Sequence, residues 1–185
     1  MKQHLFHAVR LTIVCIILFM VIYPAIIWVV AKAAPAKGEG ETVIVNGKVA
    51  GYKLEGQSFT KDEYFQGRPS AAGYNAAGSS GSNKGPSNPE YLKTVSDRID
   101  SFLVHNPTVQ KKDIPSDLVT ASGSGLDPDI SLQGAMVQAD RVSRMRNISK
   151  EKIITLIHNN TEGSPLNGID KVNVLKLNIE LDKIK

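Results

Sequence analysis

LTIVCIILFMVIYPAIIWVVA, residues 11–31, runs for 21 residues without a charge between Arg10 and Lys32. As a helix this run is about 31 Å long, and a bilayer's hydrocarbon core is about 30 Å thick, so it is long enough for one crossing with little to spare. Pro24 predicts a local kink rather than a break, and Tyr23 and Trp28 suit an interface. Ala31-Lys32-Ala33 has the small-residue spacing of a signal cleavage site, but a signal's apolar region spans only about 7 to 15 residues, so the run reads as a retained anchor. The alternative is a secreted binding module that starts after Ala33. The expected organisation is a tail over 1–10, a transmembrane helix over 11–31, a linker over 32–41 and one soluble domain over 42–185.

The flanks do not orient the span. Lys2 and Arg10 precede it, and Lys32, Lys37 and Lys48 follow closely, so the bias of basic residues towards the cytoplasm is undecided. The sole cysteine, Cys15, lies inside the run, leaving the soluble part without a thiol. The net charge of +4 comes mainly from the flanks: no acidic residue precedes Ala36, and the 18 Asp plus Glu nearly balance the remaining basic residues. A nearly neutral domain without a long basic run lacks the footprint of a nucleic-acid binder. The local cluster of Arg141, Arg144, Arg146, Lys150 and Lys152 falls near an expected helix end, where cations complement the dipole.

Beyond the linker the pattern is mixed α+β. Residues 42–45 and 48–52 flank Asn46-Gly47, the pair that supplies both positive φ values of a type I′ hairpin. Residues 70–88 are rich in Ala, Gly, Ser and Asn. The segment before them is too short to fold alone, so they are expected to cross the surface of one domain. Asn88-Pro89 starts a helix with Leu92, Val95, Ile99, Phe102 and Leu103 on one face, expected to be core. Residues 117–121 read as a short strand. Ser131 caps a helix carrying Leu132, Ala135, Met136, Ala139, Val142 and Met145, its methionines serving as packing. A third helix follows Ser149 with Ile153, Ile154 and Ile157 inward. A turn is expected over 163–168. Residues 172–181 alternate with a slip at Val174-Leu175, the mark of a bulged strand or of a strand turning into a helix.

LVTASGSGLDP, residues 118–128, carries the densest motif. Its Ser-Gly pairs turn freely, and Pro128 holds Asp127 out of helical geometry, where its carboxylate is free to accept from the Ser-Gly amides. As a phosphate loop it lacks the Lys after the last Gly, and neither Ser122 nor Ser124 has the glycine spacing of a hydrolase elbow. His105 and His158 are isolated and read as surface residues at helix ends, without metal-site spacing. Ser149 to Lys152 matches SxxK without the companion elements of the serine acylases. An anchored hydrolase would need Ser122 or Ser124 with Asp127 and His158.

LVTASGSGLDP, with YFQGRPS at 64–70, SGSNKGPSN at 80–88 and VNVLKLN at 172–178, resembles the C subunit of the bacterial potassium-transporting Kdp ATPase. The four segments keep the family's order and, with the apolar helix, span nearly the whole chain. Two positions depart from it: Asp129 stands where the family usually has His, and Lys84 where it commonly has Leu. The resemblance implies a single-pass inner-membrane protein with a cytoplasmic amino terminus and an extracytoplasmic domain. It implies a noncatalytic accessory role beside a potassium-translocating subunit, an ATP-hydrolysing P-type subunit and a small fourth peptide. It also implies the family's proposed catalytic-chaperone effect on ATP affinity. No cofactor is expected on the chain itself; ATP and potassium are handled by the complex. The partner-docking or structural loop residues would be Arg68, Ser70, Gly81, Ser82, Asn83, Pro86, Ser122, Gly123, Ser124, Gly125, Asp127, Asn173 and Asn178, with Arg68, Ser82, Asn83 and Asp127 best suited to docking.

Overall fold

The computed structural model describes residues 2–163, 168 and 170–184. The chain forms two compact units, Met1–Glu41 and Thr42–Lys185. The first is a helix far longer than the uncharged run. α1 covers Lys2–Ile16, a π-helical turn covers Ile17–Ile22, and α2 covers Tyr23–Ala33. The widened turn is the answer to Pro24: a proline cannot donate to the ladder and its ring crowds the preceding turn. The helix widens instead of breaking, with the Tyr23 amide donating to the Leu18 carbonyl five residues back. The stretch His4–Ala33 is long and apolar enough to cross a membrane, and none of it is buried within the protein. Phe19, Met20 and Trp28 all lie exposed, an arrangement that favours lipid over water as its surroundings. At its end the Lys32 ammonium lies 5.8 Å from the Trp28 ring and 3.4 Å from the Glu39 carboxylate.

The second unit is α+β. β1, Thr42–Val45, pairs antiparallel with β2, Lys48–Tyr52. Asn46 and Gly47 adopt φ of 51° and 74°, as the hairpin reading requires. The register runs Val43 to Gly51 but Ile44 to Val49, so Ala50 is a bulge. α3, Pro89–His105, begins where expected, with the Asn88 carboxamide oxygen accepting from the Tyr91 amide at 3.0 Å. β3, Asp129–Ser131, runs directly into α4, Leu132–Met136, capped by the Ser131 hydroxyl accepting from the Gly134 amide. α5, Ala139–Arg146, and α6, Lys150–Asn159, follow, then β4, Thr161–Glu162, β5, Lys171–Asn173, and α7, Val174–Lys183. The strands form an antiparallel sheet in the order β3-β5-β4. α5 packs on α6 and α6 on α7.

The core is Phe65, Phe102, Leu118, Ile130, Ala135, Ala139, Val142, Ile153, Ile157, Val172, Val174, Leu177 and Leu181. Each fully buried aliphatic side chain here contributes about 1.5–3 kcal/mol against exposure. Three expectations change, and one left open between two readings is decided. The α3 stripe is only partly core: Phe102 is buried, Val95, Ile99 and Leu103 are half-buried, and Leu92 is 53% exposed, so of the stripe only Phe102, in the last turns of the helix, enters the core. Residues 117–121 are not a strand: Pro115 starts a 3-10 turn over Ser116–Leu118, and Thr120 closes it through its amide and hydroxyl on the Ser116 carbonyl. The helix from Ser131 breaks at Val137-Gln138, so α5 starts afresh and Met145 points out, 57% exposed, while Met136 packs on the core. The slip at Val174-Leu175 is a strand turning into α7, whose N-cap is Asn173 accepting from the Lys176 amide at 3.0 Å. The turn expected over 163–168 lies mostly outside the described residues.

Candidate functional site

The polar motif segments meet in one place because three loops, with no strand and at most a single 3-10 turn each, complete one another's backbone bonds. The 64–70 segment is held from below. The Asn178 side chain, buried on α7, accepts from the Phe65 amide and donates to the Phe65 carbonyl, both at 2.9 Å. Gln138 does the same to Gln66, at 2.8 and 3.1 Å. These two-way clamps act like strand pairing made by side chains, and each leaves an unpaired buried amide if removed. Asn178→Leu is therefore expected to cost about 1–3 kcal/mol, read as a lower denaturation midpoint of the full-length chain; an unchanged midpoint would remove the clamp from the account.

From Arg68 onward the segment engages the Ser-Gly loop. Arg68 Nη1 donates to Asp127 Oδ2 at 2.9 Å, both side chains being about a quarter exposed. The other Asp127 oxygen accepts from the Asp129 amide at 3.0 Å, not from the Ser-Gly amides as expected, since Pro128 turns the chain so that the carboxylate faces forward. The Ser70 hydroxyl donates to the Gly125 carbonyl at 2.6 Å and accepts from the Ala72 and Tyr74 amides. The Ser122 amide donates to the Pro69 carbonyl, and the Ser80 amide and Ser79 hydroxyl both donate to the Ser124 carbonyl, at 3.0 and 2.9 Å. Residues 70–88 thus lie against the Ser-Gly loop.

Tyr74 ties the corner: its hydroxyl donates to the Arg68 carbonyl at 2.6 Å. Burial raises the Tyr74 pKa and Arg98 opposes the rise. A group whose folded pKa lies above its unfolded value of about 10 stabilises the fold fully below that pH. That contribution is lost as pH climbs through the higher folded value. Alkaline titration of tyrosinate absorbance should show a late step that Tyr74→Phe removes; loss of an ordinary, early step instead would contradict this placement.

The candidate residues therefore divide. Arg68, Ser70, Ser122, Gly125, Asp127, Asn173 and Asn178 are engaged within the domain, Asn173 also donating to the Lys53 carbonyl at 2.9 Å. Gly81 sits over Gly123, where a Cβ would come within 2.9 Å of the Gly123 carbonyl oxygen. Ser82, Asn83, Pro86, Gly123 and Ser124 are exposed at the top of the pair, with Asn83 in left-handed geometry at φ 52° and Lys84 bonded to Glu90 at 2.5 Å.

The hydrolase constellation is not brought together. Ser122 is buried, the Ser124 hydroxyl accepts from the Leu126 amide, both Asp127 oxygens are engaged, and His158 is exposed on α6 with no bond to any of them among the described residues. Among the described residues no group of three His, Cys, Asp or Glu is placed to hold a metal ion.

The basic cluster hides the residue that sequence reasoning missed. Arg141 is 2% exposed. Its Nε donates to Asn106 Oδ1 at 3.0 Å, Nη2 to Gln138 Oε1 at 2.8 Å, and Nη1 to the Tyr64 carbonyl at 3.0 Å and the Asp62 carbonyl. Burial pulls its pKa down and Asp62 pushes it back. Arg146 lies 4.5 Å over the Tyr64 ring, donates to the Glu63 carbonyl and meets Asp182 at 2.7 Å. Arg144 and Lys150 pair with Asp140, and His105 pairs with Asp62 at 2.9 Å. The signal in the sequence was the spacing: Arg141 falls on the same helical face as Gln138, three residues before it, directly beside Val142.

The sequence model of the family described as "KdpC: K+-transporting ATPase, c chain" matches residues 5–183, from the apolar helix through α7. The chain belongs to the KdpC family. The "Potassium-transporting ATPase KdpC subunit" of Flavobacterium psychrophilum is 51% identical to it over 99% of this chain and 100% of the relative. That of Flavobacterium johnsoniae is 52% identical over the same shares. That of Bacillus mycoides is 45% identical over 95% of this chain and 93% of its own. All four segments that carry the resemblance lie inside the KdpC match, as do both clamps and Arg141.

Proposed function

We propose that this chain is a noncatalytic, membrane-anchored accessory subunit of an ATP-driven potassium transporter, working beside a potassium-translocating subunit, an ATP-hydrolysing P-type subunit and a small fourth peptide. The observation that carries it is the pairing of an uncovered 30-residue apolar helix with a domain whose polar motif residues are mostly spent on holding its own loops, in a chain of the KdpC family. The helix crosses the inner membrane with its amino terminus in the cytoplasm and packs laterally against the pump. The domain lies outside the cell, and the exposed apex of Ser82, Asn83, Pro86, Gly123 and Ser124 docks on the pump's outer face. Short polar side chains on a preorganised loop suit such a surface, because little ordering remains to be done on binding.

Any effect on ATP affinity then runs through the packed helix as a shift between pump states, since nucleotide and domain are on opposite sides of the membrane. Asn83→Gly, which keeps the backbone geometry, combined with Ser82→Ala is expected to lower complex recovery and growth on scarce potassium while leaving the unfolding free energy within about 0.5 kcal/mol of wild type. Full assembly and growth with both substitutions would refute the docking role.

A further inference from the structure

The apolar helix contains one acceptor that its own backbone does not serve. In the π-helical turn Ile17–Ile22 each amide reaches five residues back, and the turn closes with the Tyr23 amide on the Leu18 carbonyl. The next carbonyl in that register belongs to Phe19, and the residue that would serve it is Pro24, which has no amide. The amides on either side are committed, Tyr23 to Leu18 and, by the same spacing, Ile22 to Ile17. The widened turn therefore moves the gap left by Pro24 instead of closing it, and the Phe19 oxygen faces a nitrogen with nothing to give.

Depth and composition decide what can satisfy it. Phe19 stands about 12 Å along the uncharged run from Leu11 and about 18 Å before its end at Ala31, near the middle of a hydrocarbon core about 30 Å thick. Water is scarce there, and an unmet backbone acceptor is costly. The helix cannot help itself. From Ile16 to Ala31 there is no Ser, Thr, Asn or Gln, and Tyr23 and Trp28 carry their donors at the far edge of rigid rings. Thr12 and Cys15 precede the turn, and helical side chains lean back towards the amino terminus, away from Phe19. Phe19, Met20, Val21 and Pro24 are all exposed, so nothing within the protein covers the turn. Lipid tails have no donor, and a second copy laid parallel brings the same donorless stretch to this depth. A neighbouring transmembrane helix with a polar side chain at mid-membrane supplies what is missing.

We propose that the π-helical turn is the face by which this chain packs on the transporter, against a transmembrane helix of a partner subunit whose hydroxyl or carboxamide side chain donates to the Phe19 carbonyl. This rests on the accessory-subunit reading above. Phe19-Met20 is the only Phe-Met pair in the sequence, so carbonyl-13C phenylalanine combined with 15N methionine marks this one peptide bond for solid-state NMR. The carbonyl carbon resonance moves downfield when its oxygen accepts a hydrogen bond. The labelled full-length chain is measured alone in phosphatidylcholine bilayers and again assembled with the unlabelled transporter subunits. The expected result is an upfield resonance in the chain alone that moves downfield on assembly. Pro24→Ala, which restores the amide, is expected to be downfield in both. A resonance that stays put in the assembled complex would overturn the proposal. So would one already downfield in the chain alone, whether at all dilutions, with water as donor, or only at high chain-to-lipid ratio, with a second copy as donor. The two readings fail separately: a chain that assembles with an unmoved resonance loses only the Phe19 contact, whereas a chain that does not assemble with the transporter subunits loses both.

Discussion

Replacing Arg141 by methionine is expected to destabilise the domain by about 3–5 kcal/mol, the cost of breaking a buried charged network from one side. The guanidinium bridges three chain segments that no secondary structure joins: Asn106 beyond α3, the carbonyls of Asp62 and Tyr64, and Gln138 between α4 and α5. Methionine fills similar volume but takes the donor from Asn106 Oδ1 and from the Asp62 and Tyr64 carbonyls, Gln138 Oε1 keeping the Gln66 amide, and each buried orphan costs about 1–3 kcal/mol. At about 2–4 °C per kcal/mol for a domain of this size, thermal unfolding of the detergent-solubilised chain should show a fall of about 6–20 °C. Arg141→Lys should fare little better, because a point charge on a flexible stem cannot reproduce the planar fork. A shift within the range of ordinary surface substitutions in either variant would mean the network is ornamental.

Gly125→Ala is expected to release residues 70–88 from the Ser-Gly loop. Gly125 has φ of 69°, and a Cβ there would come within 2.8 Å of the Ser80 carbonyl oxygen and 2.9 Å of Ala72 Cβ. Neither neighbour can retreat cheaply. The Ser80 amide is bonded to Ser124, and Ala72 is pinned through Ser70. Left-handed geometry costs an L-residue about 1–2 kcal/mol and overpacking a further 1–3 or so, about 2–5 kcal/mol together. The whole cost falls on contacts between two loops, so the structure gives way there first. Limited proteolysis should cut the variant within residues 76–87 well before wild type, while Ser124→Ala, which loses only a bond to the Leu126 amide, stays protected. Equal protection of Gly125→Ala and wild type would contradict the loop pairing.

Elements governed by local rules were legible in the sequence. The hairpin followed from Asn46-Gly47, the start of α3 from Asn88-Pro89, and the cap of α4 from Ser131, each a short-range geometric requirement. What failed depended on partners far along the chain. Residues 117–121 had strand composition, yet Pro115 started a 3-10 turn over Ser116–Leu118, so β3 meets this segment through the Asp117 carboxylate, which accepts from the Ser131 amide, rather than through a backbone ladder. The apolar stripe of α3 has core spacing, but only Phe102 enters the core, Val95, Ile99 and Leu103 being half-buried and Leu92 exposed.

For the candidate site, type and order of residues located the loops, while their division into engaged and exposed members came only from tertiary pairing. Asn178 and Arg68 look alike in sequence to Ser82 and Asn83; only the fold turns the first two inward. Arg141 was hidden because a charge beside other charges near a helix end reads as solvated; its spacing from Gln138 pointed to one partner, but the Asn106 side chain and the Asp62 and Tyr64 carbonyls reach it only through the fold.

The most direct measurement is native mass spectrometry of the chain extracted from membranes in mild detergent. The account predicts a single assembly in which this chain, with residues 1–33 still attached, accompanies an ATP-hydrolysing subunit and a potassium-translocating subunit. Recovery of the chain alone in the soluble fraction, with a mass that starts after about residue 33, would contradict it.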